Sequence, residues 1–251
     1  MNWLLILVII VIGGLAYRGY KKGLIRMVLS LATIILSVII TGVLGPVVSK
    51  SLCDSEVVLN YVSDGVNQGL GIEKSMSDMS EQMAAGIRGE DNTIKIGEKD
   101  RKSFISGLDL PDLLSDSLLD GTADLIQETG QVTAHTFSDY VCDMLAKIII
   151  RTLTYVIIFF IARIILKILV TAFNVVDKIP IVEDASELVG CFIGAGTGLI
   201  VVWVGFMILV AFSSTDFGIQ CYRCINESPV LAFLYNNNLL LKWILSAVAN
   251  N

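Results

Sequence analysis

The sequence predicts an all-α, polytopic membrane protein with four transmembrane helices and an extracytoplasmic, mainly helical insert. Three observations carry this prediction. Hydrophobic residues make up 54% of the 251 residues and charged residues only 17%, with a mean hydropathy of +0.73, well outside the range of soluble domains. Four apolar stretches have the length and composition of membrane spans. The charge is also divided: residues 47–147 hold 18 Asp/Glu against 8 Lys/Arg, whereas the rest holds 6 acidic and 10 basic residues. The overall −6 therefore averages a mildly basic membrane part and a strongly acidic soluble part. Nucleic acid is excluded as a partner, because phosphate binding requires clustered cations.

A bilayer core of about 30 Å takes about 20 helical residues. The first stretch, 3–17, is short for this, and spans if Trp3 and Tyr17 sit in the two interfaces. The second, 27–48, carries no charge. Between them runs Arg18-Gly19-Tyr20-Lys21-Lys22-Gly23, which reads as a tight basic turn with two glycines for backbone freedom. Its cations, with Arg26, place the turn in the cytoplasm by the positive-inside rule. No basic region precedes the first apolar run, so a retained helix is expected rather than a cleaved signal peptide.

The third stretch, 148–173, is interrupted by Arg151, Arg163 and Lys167. Arg151 and Arg163 lie 12 residues apart, about 18 Å of helix rise. Two readings stand. If each side chain reaches outward by about 6 Å, the guanidiniums meet opposite interfaces. Alternatively, Arg163 is a functional charge inside the bundle. The fourth stretch, 188–212, is uncharged. The resulting order is out–in–out–in–out, with both termini outside the cytoplasm. The expected domains are a hairpin over 1–46, the acidic extracytoplasmic segment 47–147, a second helix pair over 148–212, and an extracytoplasmic tail over 213–251.

Within the acidic segment, short amphipathic helices are expected over 57–66 and 73–87, with a polar loop or hairpin over 92–101. Pro111 suits the first position of a short helix, and from Thr122 the chain reads as helical toward the third span. Val132, Phe137, Val141, Leu145 and Ile148 give that stretch an apolar face for the membrane surface or the earlier helices. In the tail, Ser228-Pro229 reads as an N-cap followed by a first helical proline. Asn236-Asn237-Asn238 breaks the pattern. Residues 239–248 are too few to span and suit an interfacial helix anchored by Lys242 and Trp243.

Membrane helices associate through close backbone approach and small residues. Thr33, Ser37, Thr41 and Gly45 form one such stripe on the second span, and Gly190, Gly194 and Gly198 another on the fourth. Each suits packing within the chain or, alternatively, self-association. No arrangement of nucleophile and base, metal-ligand cluster or phosphate loop is evident, so no enzyme activity and no cofactor are expected. The lone His135 reads as a surface or packing residue. Cys53, Cys142, Cys221 and Cys224 fall on one, non-cytoplasmic side, with Cys191 in the membrane. Four such thiols allow three disulfide pairings where the compartment is oxidising. The spacing of Cys221 and Cys224 is that of redox pairs, but no βαβ pattern surrounds it.

Arg18-Gly19-Tyr20-Lys21-Lys22-Gly23-Leu24-Ile25 resembles the opening turn of the colicin V production protein (CvpA) family, a short helix, an R-G-Y-x-x-G-[LF]-[IV] turn and a second helix. Residues 162–170, the run Gly190-Cys191-Phe192-Ile193-Gly194, and Ser228-Pro229-Val230-Leu231 with the asparagines after Tyr235 are similar to later parts of that family. The resemblance covers 1–48 and 145–240, not the insert. It implies a four-helix protein of the bacterial inner membrane, linked to toxin production or export and to the cell envelope. It supplies no catalytic residue. Some relatives carry a protease domain beyond the membrane unit, which the 39 residues after the fourth span are too few to form. The expected partners are the lipid bilayer and other envelope proteins or a second copy of the chain.

Overall fold

The computed structural model describes residues 2–22, 24–72, 74, 75, 77, 98–108, 110–129, 134–172 and 186–249. All regular structure among them is helical. The helices are α1 (Trp3–Lys22), α2 (Leu24–Cys53), α3 (Glu56–Leu70), α4 (Glu98–Ser106) and α5 (Asp112–Thr129). They continue with α6 (Ala134–Ala172), α7 (Ser186–Ala211), α8 (Asp216–Asn226), α9 (Pro229–Asn236) and α10 (Leu239–Ala249). Four of them contain windows long and apolar enough to cross a membrane: Trp3–Lys21, Val28–Cys53, Phe137–Thr171 and Glu187–Ala211. The chain thus has the build of a multi-pass membrane protein. It forms two compact units, one of Met1–Lys50 with Arg151–Ile208, the other of Ser51–Ile150 with Leu209–Asn251.

The first unit holds the spanning helices, and it corrects the reading of the basic turn. Arg18 to Lys22 are helical, forming the end of α1, and α2 resumes at Leu24; Gly23 lies outside the described residues. A helix C-terminus exposes carbonyls and favours cations, so this charge extends the helix instead of ending it. The Lys21 ammonium also rests 4.9 Å from the centroid of the Tyr17 ring, one turn earlier. The first helix is therefore long enough to span without thinning the bilayer.

In this unit α1 and α7 run antiparallel. A Cβ on Gly194 would stand 2.9 Å from the Ala16 Cα and against the Leu15 carbonyl, and one on Gly198 would stand 2.9 Å from the Ile12 Cα. Gly19 meets the Gly190 carbonyl in the same way. Gly19 thus serves close approach, not turning. Gly196, on another face of α7, has nothing within 4 Å of its hypothetical Cβ. Large apolar side chains such as Ile10, Val43, Ile164 and Phe192 point outward, as lipid contact requires.

The second unit has an apolar core of its own. Leu114 and Leu118 of α5, Phe137, Val141, Leu145 and Ile148 of α6, and Ile225 and Leu231 are at most 1% exposed. Burying each such side chain contributes about 1.5–3 kcal/mol. The face from Phe137 to Ile148 rests on the protein itself: Phe104 of α4 meets Phe137 edge-to-face, with centroids 5.7 Å apart. α9 and α10 both pack on α5, and Asn236 Nδ2 donates to Asp112 Oδ2 at 3.1 Å.

Several element boundaries differ from expectation. α3 extends the 57–66 helix at both ends, closing on Gly71 in the left-handed conformation with φ +60°, which glycine adopts without strain. Residues 98–101, expected in a loop or hairpin, belong to α4, while most of 73–87 and 92–97 lies outside the described residues. Pro111 is not inside α5 but caps it, its carbonyl accepting from the Leu114 and Ser115 amides. α5 continues to Thr129, past Gly121, where the Tyr140 hydroxyl donates to the Gly121 carbonyl at 3.0 Å. The helix expected from Thr122 toward the third span is met by the end of α5 and by α6, which begins fourteen residues before the apolar run at Ile148; residues 130–133 lie outside the described residues. α8 was not anticipated; Thr215 caps it, accepting from the Gly218 amide at 3.1 Å.

Candidate functional site

The buried polar side chains of the first unit define its candidate site. On α2, Ser37 and Thr41 are buried, Thr33 is half-buried, and buried Ser49 prolongs the stripe past Gly45. The hydroxyls are held by their own helix: Ser37 Oγ donates to the Thr33 carbonyl at 2.7 Å and Thr41 Oγ1 to the Ser37 carbonyl at 2.8 Å. Such bonds let hydroxyls enter an apolar bundle without a partner across the interface. Pro46, within α2, has no amide to give the Gly42 carbonyl.

This stripe faces α6. A Cβ on Gly45 would stand 2.7 Å from the Tyr155 ring, so the absent side chain makes room for the aromatic. Consecutive spans are antiparallel, since the segment between α2 and α6 holds no further run apolar enough to cross. Four residues on from Gly45 is Ser49, and four before Tyr155 is Arg151. Eight before Gly45 is Ser37, and eight beyond Tyr155 is Arg163. Helix rise therefore puts Ser49 at the depth of Arg151, and Ser37 at the depth of Arg163.

Arg151 is only 8% exposed. Its stem and head are covered by protein, and Thr152 and Thr154 beside it are buried too. Arg163 is half-buried. Tyr155, Ser49 and Thr152 were not singled out from the sequence. Only the four-residue spacing of Ser49 after Gly45 could have signalled any of them.

The basic end of α1 and the start of α7 also meet. Arg18, Tyr20 and Lys21 are exposed and Gly19 is buried; the side chain of Lys22 lies outside the described residues. Tyr20 and Glu187 are neighbours, next to the approach of Gly19 to Gly190. Gly190, Gly194 and Gly198 are all buried on α1. That face is occupied within the chain.

All five cysteines are free thiols, with Cys53, Cys142 and Cys221 buried and Cys191 and Cys224 half-buried. None of the three possible pairings is formed. Cys221 and Cys224 share α8, where burial, reinforced by the neighbouring Cys224, pushes the Cys221 thiol above its ordinary value. The thiolate is the reactive form, so this environment disfavours a redox nucleophile. Between them Tyr222, fully buried, meets Tyr235 edge-to-face at 6.2 Å. Burial raises the pKa of both phenols. The side chain of His135 lies outside the described residues. Among the described residues, no three His, Cys, Asp or Glu side chains converge as metal ligands would.

Comparison with known proteins finds no match to the chain among family models, curated proteins or solved structures.

Proposed function

We propose that this chain is a non-enzymatic accessory or scaffold component of the bacterial inner membrane, serving toxin (colicin V) production or secretion and the upkeep of the cell envelope. The colicin V link rests on the resemblance carried by Arg18 to Ile25. One structural observation supports the scaffold part: the insert and the tail, parted in sequence by two spans, share one compact unit. A shared unit suits the out–in–out–in–out order, which has both on one side of the membrane. On α3 of this unit, Val57 and Tyr61 are 80% and 82% exposed, one helical turn apart, where a protein partner would find them.

The test is a deletion strain scored for colicin V export and for sensitivity to envelope stress. Loss of either, restored by the wild-type chain and not by the Val57→Asp, Tyr61→Asp double variant at equal membrane abundance, supports the proposal. Unchanged export and envelope integrity would overturn it.

A second reading, a small oligomeric transporter or channel, draws on the buried polar seam and on Arg163 at the depth of Ser37. An ionisable side chain within a span is a common mark of a solute path. Flux into reconstituted vesicles that falls at least tenfold in Arg163→Gln and survives in Arg163→Lys would favour it. Absence of flux in the wild-type chain would dismiss it.

A further inference from the structure

The outward face of α3 carries two adjoining ridges at four-residue spacing. Glu56, Asn60, Asp64 and Gln68 form one, Val57, Tyr61 and Gly65 the other, and all seven residues are exposed. Val57 and Tyr61 have the highest exposures of any large apolar side chains among the described residues, above those of the spanning helices. No side chain of α3 is basic. Gly65 has nothing within 4 Å of its hypothetical Cβ, so the apolar ridge drops to bare backbone one turn beyond Tyr61.

The rest of the helix is held in place. Behind the face, Val66 is 1% exposed and Ser63 Oγ donates to Asp143 Oδ1 of α6 at 3.0 Å. At its far end Gly69 packs on the backbone of Ser214. The two ridges are therefore presented on a fixed helix about 22 Å long, which leaves little ordering entropy to oppose a partner.

Charge selects the occupant. A second copy of α3 would set acidic side chains against acidic ones in either direction, and like charges in contact are costly. A bilayer surface draws in helices whose polar face is rich in Lys and Arg, which α3 lacks. A helix of another protein, with apolar side chains on one ridge and Lys or Arg on the next, matches both ridges and has room for a large side chain at Gly65.

We propose that the outward face of α3 docks a cationic amphipathic helix of a partner protein, its apolar ridge on Val57, Tyr61 and Gly65 and its cations on Glu56 and Asp64. The proposal rests on the scaffold reading and gives the partner its chemistry. The 18 acidic against 8 basic residues of 47–147 steer such a helix toward the face, over a Debye length of about 8 Å at physiological salt.

The full chain, with a photoreactive phenylalanine analogue in place of Tyr61, is irradiated in cells that make it as their only copy, and the crosslinked peptide is sequenced by mass spectrometry. A peptide of another protein is expected, with Lys or Arg recurring at helical spacing beside an apolar stripe. At equal membrane abundance its yield should fall about tenfold in the Glu56→Lys, Asp64→Lys double variant. The near-isosteric Glu56→Gln, Asp64→Asn double variant should lower it in the same direction. The same reversal at Asp116 and Asp120, exposed on α5, should leave the yield within about threefold, because screening confines the effect to nearby charges. The crosslinked segment, synthesised as a free peptide, should bind the full chain in mild detergent more weakly as salt rises. Crosslinks confined to lipid, to a second copy of the chain or to a peptide without basic residues would overturn the proposal. So would the absence of any crosslink, or a yield indifferent to the charge at positions 56 and 64. None of these results touches the scaffold reading itself, which falls only if the deletion strain has an unchanged phenotype.

Discussion

Gly194 and Gly196 are two residues apart on α7, yet their surroundings are opposite. A methyl group at Gly194 meets the backbone of Leu15 and Ala16, which cannot move independently of α1, whereas at Gly196 it meets open space. Gly194→Ala should therefore destabilise the chain by about 1–3 kcal/mol, the usual cost of overpacking. Gly196→Ala should be neutral or slightly stabilising, because alanine is the better helix former. Melting temperatures of the two variants in the same detergent check this, and equal values would refute the α1–α7 contact. The buried phenols offer a second test. Tyr222 donates to the Leu209 carbonyl at 3.4 Å, and both Tyr222 and Tyr235 have pKa values raised above the ordinary 10.0. A raised folded-state value means stability that is complete below pH 10 and declines as pH rises above it, because the unfolded chain loses those protons first. Unfolding monitored from pH 8 to pH 11 should show this decline, and Tyr222→Phe should flatten it.

Helix ends in the tail follow local rules that need no knowledge of the rest of the molecule. Ser228 accepts from the Leu231 amide at 3.4 Å with Pro229 at the first helical position, as the Ser-Pro pair implied. The three asparagines that break the pattern divide between two jobs. Asn237 closes α9, and the Asn238 side chain accepts from the amides of Leu240 and Leu241, both at 3.1 Å. Asn238 is fully buried, so Asn238→Ala should cost about 1–2 kcal/mol. Amide hydrogen exchange at Leu240 and Leu241 should quicken with it; unchanged protection would show that packing alone starts α10. The approach to the third span was legible as a helix, because Phe137, Val141, Leu145 and Ile148 recur at helical spacing. The polar residues between Ala134 and Lys147 end the apolar run, but the helix continues because Phe137, Val141 and Leu145 find a core in the second unit. Tertiary burial stabilises a helix beyond its local propensity.

For the molecule as a whole, the decisive test is which side of the membrane each unit meets. Single cysteines introduced into a cysteine-free chain at Tyr20 and Phe233, which are 42% and 67% exposed, should respond oppositely to an impermeant thiol reagent in intact cells. Protection at position 20 with reaction at position 233 is expected. Reaction at position 20 alone would invert the topology. Tyr235 would be a poor reporter, since it is fully buried.

How much of this was legible without coordinates follows a physical division. Membrane insertion sums the transfer free energy of about 20 adjacent residues, so the four spans stand in the primary structure, as does the cap formed by Ser228 and Pro229. The basic residues at 18–22 could be counted there too, but not that Gly19 among them serves the close approach to Gly190. The same holds for the candidate seam. Thr33, Ser37, Thr41 and Gly45 declare a face by their spacing, yet Tyr155 becomes its counterpart through a contact with Gly45 more than a hundred residues away. Likewise, the union of insert and tail into one unit, with Asn236 meeting Asp112, arises from complementary surfaces that form only once the chain has folded.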